Sequence, residues 1–312
     1  MRRRVLLTGA SGFVGRAAIA PLIRAGFEVH AIARRQIDAP APVTWHVADL
    51  FDQDQMQRLL QAIAPSDLLH FAWYAEPGKY WTARENLDWL GASLALLQAF
   101  GRNGGRRVVM AGTCAEYDWH HGLCVENSTP LAPNTLYGTC KHALQTVLGA
   151  YCRQYRLSSA WGRIFFPYGA HEHPARLVPS VIGALLAGRP ALCTSGEQVR
   201  DFIHVGDVAS AFVALLGSDI EGAVNIGSGQ GVAVKDVAMR IGEQLGRPDL
   251  VRLGARPVPQ DEPPLLIADV RRLEVELGWR PTTSLDHGLA ATIDWWRAEL
   301  SRSAAARNSA PA

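Results

Sequence analysis

The sequence places a strand, a glycine loop and a helix in direct succession near its start. Val5–Leu7 is a short apolar run, as found in buried parallel strands. Gly9, Gly12 and Gly15 follow it, and apolar residues recur at helical spacing over Phe13–Ile23. In such a loop the first glycine permits a tight turn, the second lets a pyrophosphate approach the backbone, and the third lets the helix pack closely. The pattern predicts a dinucleotide site at the helix N-terminus, with an ordinary glycine-rich turn as the alternative.

The composition is that of a globular chain without a strong attraction to polyanions. Hydrophobic residues make up 48% and charged residues 19% of its 312 residues, and the formal net charge is +2. We therefore expect neither nucleic acid nor a membrane as a partner. No apolar run approaches the roughly 20 residues that span a bilayer, and the N-terminus lacks the apolar region of a signal peptide. Five cysteines without framework or zinc spacing predict free thiols, no metal site and a cytoplasmic location.

The end of the second predicted strand bears on which dinucleotide is bound. Phe27–Ala33 predicts this strand, and Arg34 and Arg35 follow it. An acidic residue at this point would bind the ribose 2′-hydroxyl of NAD, whereas arginine tolerates a 2′-phosphate. Two guanidinium groups suit a doubly negative phosphate, so the sequence predicts NADP(H). The alternative is that one or both arginines are solvated surface residues.

Two further strands continue the alternation of strands and helices. Val43–Val47 is followed by Asp49, and Asp67–Phe71 is followed by Trp73. Asp49 either caps the next helix or bonds to the adenine amino group, and the sequence does not separate the two roles. Because ligands bind at the carboxyl ends of parallel strands, we expect the cofactor near Trp73. The aromatic loop that starts there, WYAEPGKYW, either stacks on a sugar or base or simply packs.

The next helix is predicted over Ala83–Phe100, because leucines recur there at helical spacing. Its predicted buried stripe comprises Leu87, Leu90, Leu94 and Leu97.

A tyrosine and a lysine four residues apart open a later helix. Tyr137 and Lys141 lie on one face of this helix, which runs to about Tyr155. A nearby ammonium favours tyrosinate and lowers the pKa of the phenol, so Tyr137 becomes a usable acid or base near neutral pH. Thr113, at the tip of the strand Arg107–Ala111, can supply a further hydrogen bond to the same substrate oxygen. After a dinucleotide loop, this combination predicts a redox site.

With these motifs the chain resembles the extended short-chain dehydrogenases/reductases that act on nucleotide-sugars as epimerases, dehydratases and reductases. The resemblance runs from about Arg4 to Trp296. It is carried by Thr8–Gly15, Ala48–Leu50, Thr113 with Tyr137 and Lys141, Gly162–Gly169, Arg200–Val205, Asn225–Ser228 and Leu277–Pro281. It implies that Thr113, Tyr137 and Lys141 are catalytic. It also implies that Lys141 bonds the nicotinamide ribose and that Arg200 meets the phosphates of a nucleotide-sugar.

Departures from the family pattern narrow the expected activity. The dehydratases of this family carry Asp-Glu directly after the catalytic threonine. Cys114 and Ala115 stand there in this chain, and neither can do that acid–base work, so dehydration is not expected. Phe166 replaces an asparagine that contacts the diphosphate in many relatives, and Arg256 matches a second diphosphate arginine only loosely. The run GTCAEYDW is similar to deoxysugar 4-ketoreductases.

These observations predict an α/β fold, namely a Rossmann-type doubly wound parallel sheet with a smaller C-terminal substrate lobe. The predicted NADP-binding domain is 1–166 with 201–230, the nucleotide-sugar lobe is 167–200 with 231–300, and 301–312 is a disordered tail. The predicted cofactor contacts are Gly9, Gly12, Phe13, Val14, Arg34, Arg35, Asp49, Leu50, Phe71, Ala72, Trp73, Tyr137 and Lys141. The predicted substrate contacts are Thr113, Cys114, Phe166, Arg176 and Arg200.

Three functions fit this predicted site. The first is NADPH-dependent reduction of a nucleoside-diphosphate 4-keto (deoxy)sugar to the hydroxy sugar. The second is an NAD(P)-dependent nucleotide-sugar 4-epimerase, which would oxidise and re-reduce C4 without releasing its cofactor. The third is a non-catalytic NADP-sensing protein, which the presence of Thr113, Tyr137 and Lys141 together disfavours. We also expect a homodimer.

Overall fold

The computed structural model describes residues 3–37 and 42–308 and shows a chain that alternates between strands and helices. The strands are β1 (Arg4–Thr8), β2 (Glu28–Ala33), β3 (Val43–Val47), β4 (Asp67–His70), β5 (Arg107–Thr113), β6 (Leu123–Cys124), β7 (Ser158–Ile164), β8 (Phe166–Tyr168), β9 (Ala191–Leu192), β10 (Val199–His204), β11 (Gly222–Ile226), β12 (Gly231–Ala233), β13 (Val251–Arg252) and β14 (Leu265–Ala268). The helices are α1 (Phe13–Arg24), α2 (Gln53–Ile63), α3 (Glu85–Arg102), α4 (Leu136–Tyr155), α5 (Leu177–Leu186), α6 (Val205–Gly217), α7 (Val234–Gln244) and α8 (Leu285–Asn308).

Seven of the strands form one sheet in the order β3-β2-β1-β4-β5-β7-β11. Every neighbouring pair in it is parallel. The strand order reverses between β1 and β4, and in such sheets this switch point is where ligands bind. The predicted Rossmann-type doubly wound sheet is confirmed.

Helices cover both faces of this sheet, which explains why its central strands are apolar over consecutive residues in their middle. Val5 and Leu7 of β1 belong to a core shared with α1 and α6, whereas Leu6 belongs to a second core shared with α2, α3 and α4. Successive side chains of a strand point to opposite faces, so one apolar run fills both cores. β4 and β5 are buried along their whole length.

A smaller sheet and three helices make up the second part of the fold. β12, β10, β14 and β6 follow one another in this sheet, and β8 pairs with β10. Helices α5, α7 and α8 share a separate apolar core beside it. The prediction assigned 201–230 to the dinucleotide domain, but β10 lies in the smaller sheet, where Phe202 pairs with Phe166. Only α6 and β11 return to the large sheet. The apolar sequence of β10 predicts a strand but does not indicate which sheet that strand joins.

The predicted leucine stripe of α3 is wrong at its first position. Leu87 is 57% exposed, whereas Leu97 is buried. The buried face of α3 instead contains Ala92, Leu96 and Phe100. Because these residues also recur at helical spacing, the sequence offered two overlapping faces, and the packing of the helix selected the second.

The predicted disordered tail is also wrong for 301–308. Helix α8 continues through this stretch to Asn308, while 309–312 lie outside the described residues. The stretch contains three consecutive alanines, and alanine has the highest helix propensity of all residues. A composition of small and polar residues therefore extends a helix that is already formed.

Within residues 3–37 and 42–308, no helix combines the length and hydropathy needed to cross a bilayer. In the same residues, no three His, Cys, Asp or Glu side chains converge as a metal site. The five cysteines are free and buried.

Candidate active site

The loop after β1 presents backbone N–H groups at the start of α1. Gly9 has a φ of +69°, and a Cβ there would lie 2.7 Å from the backbone nitrogen of Ala72. A Cβ on Gly15 would overlap the carbonyl oxygen of Gly9, so only glycine lets α1 approach β1 this closely. In this fully described segment Gly12 caps α1 without a side-chain hydrogen bond, and the first turn holds no acidic residue. The N–H groups from Phe13 onward can therefore bind an anion.

Thr113 ends β5 at the same edge of the sheet and is held there by a reciprocal pair of hydrogen bonds. Its Oγ1 accepts from the backbone nitrogen of Ala115 at 3.2 Å, and its own backbone nitrogen donates to Oε1 of Glu116 at 2.8 Å. This arrangement is a capping box, and it starts a 3₁₀ turn at Cys114. The box fixes the direction in which the Thr113 side chain leaves the strand.

Tyr137 reaches Thr113 because α4 begins directly against that turn. Thr135 caps the helix, and its side chain accepts from the backbone nitrogen of Gly138 at 3.1 Å. A Cβ on Gly138 would overlap the carbonyl oxygen of Ala115, so glycine permits the close contact. The Thr113 side chain lies close enough to the Tyr137 hydroxyl to lower the pKa of the phenol. Two of the three predicted catalytic side chains thus form a pair.

The prediction that Lys141 lowers the pKa of Tyr137 is wrong for this structure. Loss of hydration raises the pKa of the phenol above its usual value, and Tyr80 raises it further. The Tyr80 and Tyr137 rings meet edge-on, with 4.9 Å between their centroids. The neighbouring Thr113 side chain lowers the pKa of the phenol, but by less than burial raises it. Tyr137 is therefore protonated at neutral pH and is a proton donor without further activation.

The Lys141 ammonium is held by a backbone carbonyl and an aromatic ring. The residue is 3% exposed, and its Nζ donates to the carbonyl oxygen of Ala111 at 2.9 Å. The same Nζ lies 3.8 Å from the centroid of the Trp73 ring. Burial lowers the pKa of Lys141 to about 7, and the Glu116 carboxylate acts in the opposite direction.

A cavity of about 760 Å³ opens beside Trp73 at the carboxyl ends of the strands. Arg34 lines it from the end of β2, and Leu50 lines it from the segment after β3. These are predicted cofactor residues, and the structure brings them together with Trp73 around one space. Phe71, Ala72 and Val14 pack into the adjoining cores. The cavity also carries negative charge, since its lining includes Glu76, Glu85 and Asp88.

The two alternatives for Asp49 are now reduced to one. Asp52 caps α2, because its Oδ1 accepts from the backbone nitrogen of Gln55 at 2.8 Å. Asp49 closes the preceding turn instead, accepting from the backbone nitrogen of Phe51 at 3.1 Å. The capping role is thus wrong for Asp49, and its contact with adenine stays a prediction. Arg35 is exposed, and its contact with the cofactor likewise stays a prediction.

The predicted substrate residues Cys114, Phe166 and Arg200 lie on the side of the second sheet. Burial raises the pKa of the Cys114 thiol far above its usual range, so this cysteine is no nucleophile. Arg200 is buried, and its guanidinium lies 5.4 Å from the centroid of the Phe166 ring. It pairs with Glu262 and donates to the carbonyl oxygen of Pro263 at 2.7 Å. The positive charge expected at the diphosphate is present but already paired.

Arg176 belongs to a chain of contacts that begins at Tyr137. Tyr80, which touches Tyr137, lies under the Arg176 guanidinium at 5.2 Å, and the Arg176 charge lowers the pKa of the Tyr80 phenol against the effect of burial. Burial raises the pKa of Glu172 to about 8, and the charge of Arg176 acts against this shift. Among the described residues, Oε2 of Glu172 has no hydrogen-bond partner. Tyr80 and Glu172 are missing from the predicted site, although the aromatic loop signalled Tyr80.

A buried ion pair supports Thr113 from behind and was also missed. Glu116 and Arg163 have side chains at most 1% exposed, and Nε of Arg163 lies 2.8 Å from Oε2 of Glu116. Nε1 of Trp161 donates to the same carboxylate at 2.9 Å, and Arg163 donates to the Tyr117 hydroxyl at 2.9 Å. The Thr-x-x-Glu spacing that starts at Thr113 was the available signal, because it is the sequence signature of a capping box.

Comparisons with known proteins agree with this geometry. The sequence profile of the NAD dependent epimerase/dehydratase family matches residues 5–227. The UDP-glucose 4-epimerase of Streptomyces lividans is 28% identical over 326 aligned positions, which cover 95% of this chain and 96% of the relative. The UDP-glucose 4-epimerase of Thermus thermophilus, solved with NAD, has a TM-score of 0.84 at 27% identity, covering 94% of this chain and 99% of that one. MoeE5, solved with UDP-glucose and NAD, has a TM-score of 0.81 at 30% identity, with coverages of 95% and 99%.

Proposed function

Because the chain belongs to the NAD dependent epimerase/dehydratase family, we propose that it is a 4-epimerase of a UDP-sugar. The observation that carries the proposal is that Thr113 lies next to the Tyr137 phenol, at the sheet edge where the glycine loop also lies. Relatives named UDP-glucose 4-epimerase align over nearly the whole of both chains, which supports epimerisation. Cys114 and Ala115 supply no acid or base after Thr113, which speaks against dehydration.

The glycine loop suits a dinucleotide, because without side chains at Gly9 and Gly15 the helix packs closely on the strand and its N-terminal N–H groups stay open to an anion. When bound, the nicotinamide ring accepts a hydride from the sugar carbon and returns it. The N–H groups at the start of α1 would hold the pyrophosphate, and the cavity lined by Arg34 and Leu50 would take the adenosine end. Lys141 would reach the nicotinamide ribose from α4.

Proton transfer at the sugar falls to Tyr137. In the oxidising half of the reaction its phenolate takes the proton of the C4 hydroxyl, and in the reducing half its phenol returns a proton to the C4 oxygen. Thr113, next to the phenol, would donate a further hydrogen bond to the same oxygen. Because burial raises the pKa of Tyr137, the oxidising half needs the positive charge of Lys141 nearby. Arg176 would provide positive charge for the diphosphate, and Arg200 would do so on exchanging its partner Glu262 for the phosphates.

The direct test is interconversion of UDP-galactose and UDP-glucose by the purified protein, followed by proton NMR. We expect turnover with only catalytic amounts of dinucleotide, because each hydride that is removed is returned. Tyr155→Phe is the control, since Tyr155 is 62% exposed at the far end of α4. A protein that binds dinucleotide but converts no UDP-sugar in either direction, and reduces no keto-sugar, would instead be the non-catalytic NADP-sensing protein.

A second candidate is the NADPH-dependent 4-ketoreductase, which the residues after β2 favour. Arg34 and Arg35 are both exposed there, and no acidic residue occupies the end of the strand to bind a ribose 2′-hydroxyl. A reductase would consume one NADPH for each keto-sugar reduced, without interconverting two hydroxy sugars. Stoichiometric NADPH loss with a nucleoside-diphosphate 4-keto sugar, and no epimerisation, would select this candidate.

The choice between NADP and NAD is testable by calorimetric titration. We expect tighter binding of NADPH than of NADH, and a preference that falls by about tenfold in Arg34→Ala and in Arg35→Ala, because charge-assisted bonds to the phosphate are lost. Arg58→Ala on α2, also exposed, is the matched control. Equal affinities in the unchanged protein would show that the acidic side chains of the cavity, Glu76 among them, outweigh the arginines.

The homodimer and the cytoplasmic location also stay predictions.

A further inference from the structure

Trp73 is held in one orientation by a side chain that is itself buried. Its Nε1 donates to Oδ1 of Asn86 at 2.9 Å. Asn86 is fully buried, and its amide donates to the carbonyl oxygens of Tyr80 and Ala83 at 2.7 and 2.8 Å. The amide therefore presents its oxygen to the indole, and the plane of the Trp73 ring is fixed.

The face of that ring is turned to an ammonium that has few other partners. Nζ of Lys141 lies 3.8 Å from the ring centroid and donates one hydrogen bond, to Ala111. A cation over an indole face within about 6 Å is attracted by the ring quadrupole, and the attraction is strongest where both groups are desolvated. Lys141 meets that condition, since it is 3% exposed.

The other side chains near Lys141 do not replace the Trp73 ring as the partner of its ammonium. Glu116, in the turn after β5, raises the pKa of the lysine, but its carboxylate is already paired with Arg163. His70, at the end of β4, is neutral because burial lowers its pKa to about 3. Tyr137, one turn earlier on α4, is a protonated phenol. The ring of Trp161 lies farther away, at 6.0 Å from Nζ.

We propose that Trp73 is a positioning residue whose indole face holds the Lys141 ammonium in place and in its charged form. Without this contact a buried lysine loses its proton more readily, because desolvation favours the neutral amine. The inference concerns the ligand-free protein, and only its consequence for turnover rests on the proposed function. In that setting Trp73 acts through Lys141 on the proton transfer of Tyr137.

The chain allows a direct measurement, because it contains only three lysines, Lys79, Lys141 and Lys235. NMR of protein carrying ¹³C at the lysine ε-carbons follows each titration separately, and Lys141→Arg identifies the signal by its loss. Lys79 and Lys235 are internal references, since hydrogen bonds to Glu76 and Glu197 raise the pKa of each. In the unchanged protein we expect Lys141 to titrate near pH 7.

The decisive variant keeps the shape of the indole and weakens its quadrupole. With increasingly fluorinated tryptophan at position 73, we expect the pKa of Lys141 to fall progressively, by about one unit at the end of the series. The same series at Trp295, a half-buried tryptophan that packs on Trp296, is the matched control and should leave Lys141 unchanged. Trp73→Leu is less informative, since water that enters the vacated space raises the pKa of a buried lysine.

A Lys141 titration that does not respond to fluorination at position 73 would overturn the proposal. The pH profile of kcat/KM separates this result from a failure of the proposed function. If turnover needs Lys141 in its ammonium form, kcat/KM falls as pH rises through the pKa of Lys141. Fluorination at position 73 then moves this descending part of the pH profile to lower pH, by as much as it lowers the pKa. A lower pKa measured by NMR, without a matching change in the pH profile, would support the contact between the Trp73 ring and Lys141. It would contradict the role of Lys141 in turnover.

Discussion

Replacing Tyr137 by phenylalanine is expected to lower kcat by about 10²–10⁴-fold, because a general acid–base group contributes on that scale. The change removes only the hydroxyl, which lies next to the Thr113 side chain. The ring remains packed edge-on against Tyr80 and Trp81, so dinucleotide affinity and the unfolding midpoint should stay nearly unchanged. Steady-state kinetics on a confirmed nucleotide-sugar, together with calorimetric titration of the dinucleotide, measure the two quantities separately.

The control for this experiment is the same substitution at Tyr155, which should leave kcat unaltered because that side chain is 62% exposed on the same helix. Lys141→Ala should differ from both, lowering kcat and dinucleotide affinity together, because the lysine would serve the cofactor and the proton transfer alike. A Tyr137→Phe enzyme with near-normal turnover would exclude Tyr137 as the proton donor. Since the epimerase and the reductase share this residue, the experiment tests the site and not the choice between them.

The parts of the fold that follow from local patterns could be predicted from the sequence. The order of strand, glycine loop and helix at Gly9–Gly15 reflects steric demands that no other residue meets, and the structure shows those close approaches. The alternation of apolar strands with helices requires a parallel sheet covered on both faces. Since the carboxyl ends of parallel strands meet at one edge, the neighbourhood of Trp73 and Thr113 was also predictable.

The predictions that failed depend on the direction in which a side chain or helix face points, which the spacing of residues in the sequence does not determine. Tyr137 and Lys141 do share one face of α4, yet the lysine reaches the Ala111 carbonyl and the Trp73 ring. The pKa of the phenol is therefore set by burial and by Tyr80, a residue from a distant loop. Leu87 failed for a related reason, since two overlapping faces of α3 are apolar and packing chose between them. Long-range pairing likewise decided which sheet β10 joined.

The ion pair of Glu116 and Arg163 is expected to have the largest effect on stability of any pair in the site. Both side chains are at most 1% exposed, and the carboxylate also accepts from the backbone of Thr113 and from Trp161. Glu116→Gln keeps the volume but leaves the Arg163 guanidinium buried without a counter-charge. Removing one partner of a buried pair typically costs about 3–5 kcal/mol. Urea denaturation should show a loss of that size in the free energy of unfolding.

The matched comparison is an ion pair on the surface. Arg240 and Asp286 lie 2.9 Å apart with side chains 41% and 64% exposed, so Asp286→Ala should cost no more than about 1 kcal/mol. Replacing both partners, as in Glu116→Gln with Arg163→Met, should cost less than the sum of the single changes, because no unpaired charge is then left in the core. A Glu116→Gln protein that loses less than Asp286→Ala would show that water reaches Arg163. In that case the carboxylate would serve mainly to hold Thr113, and its replacement would lower kcat without lowering stability.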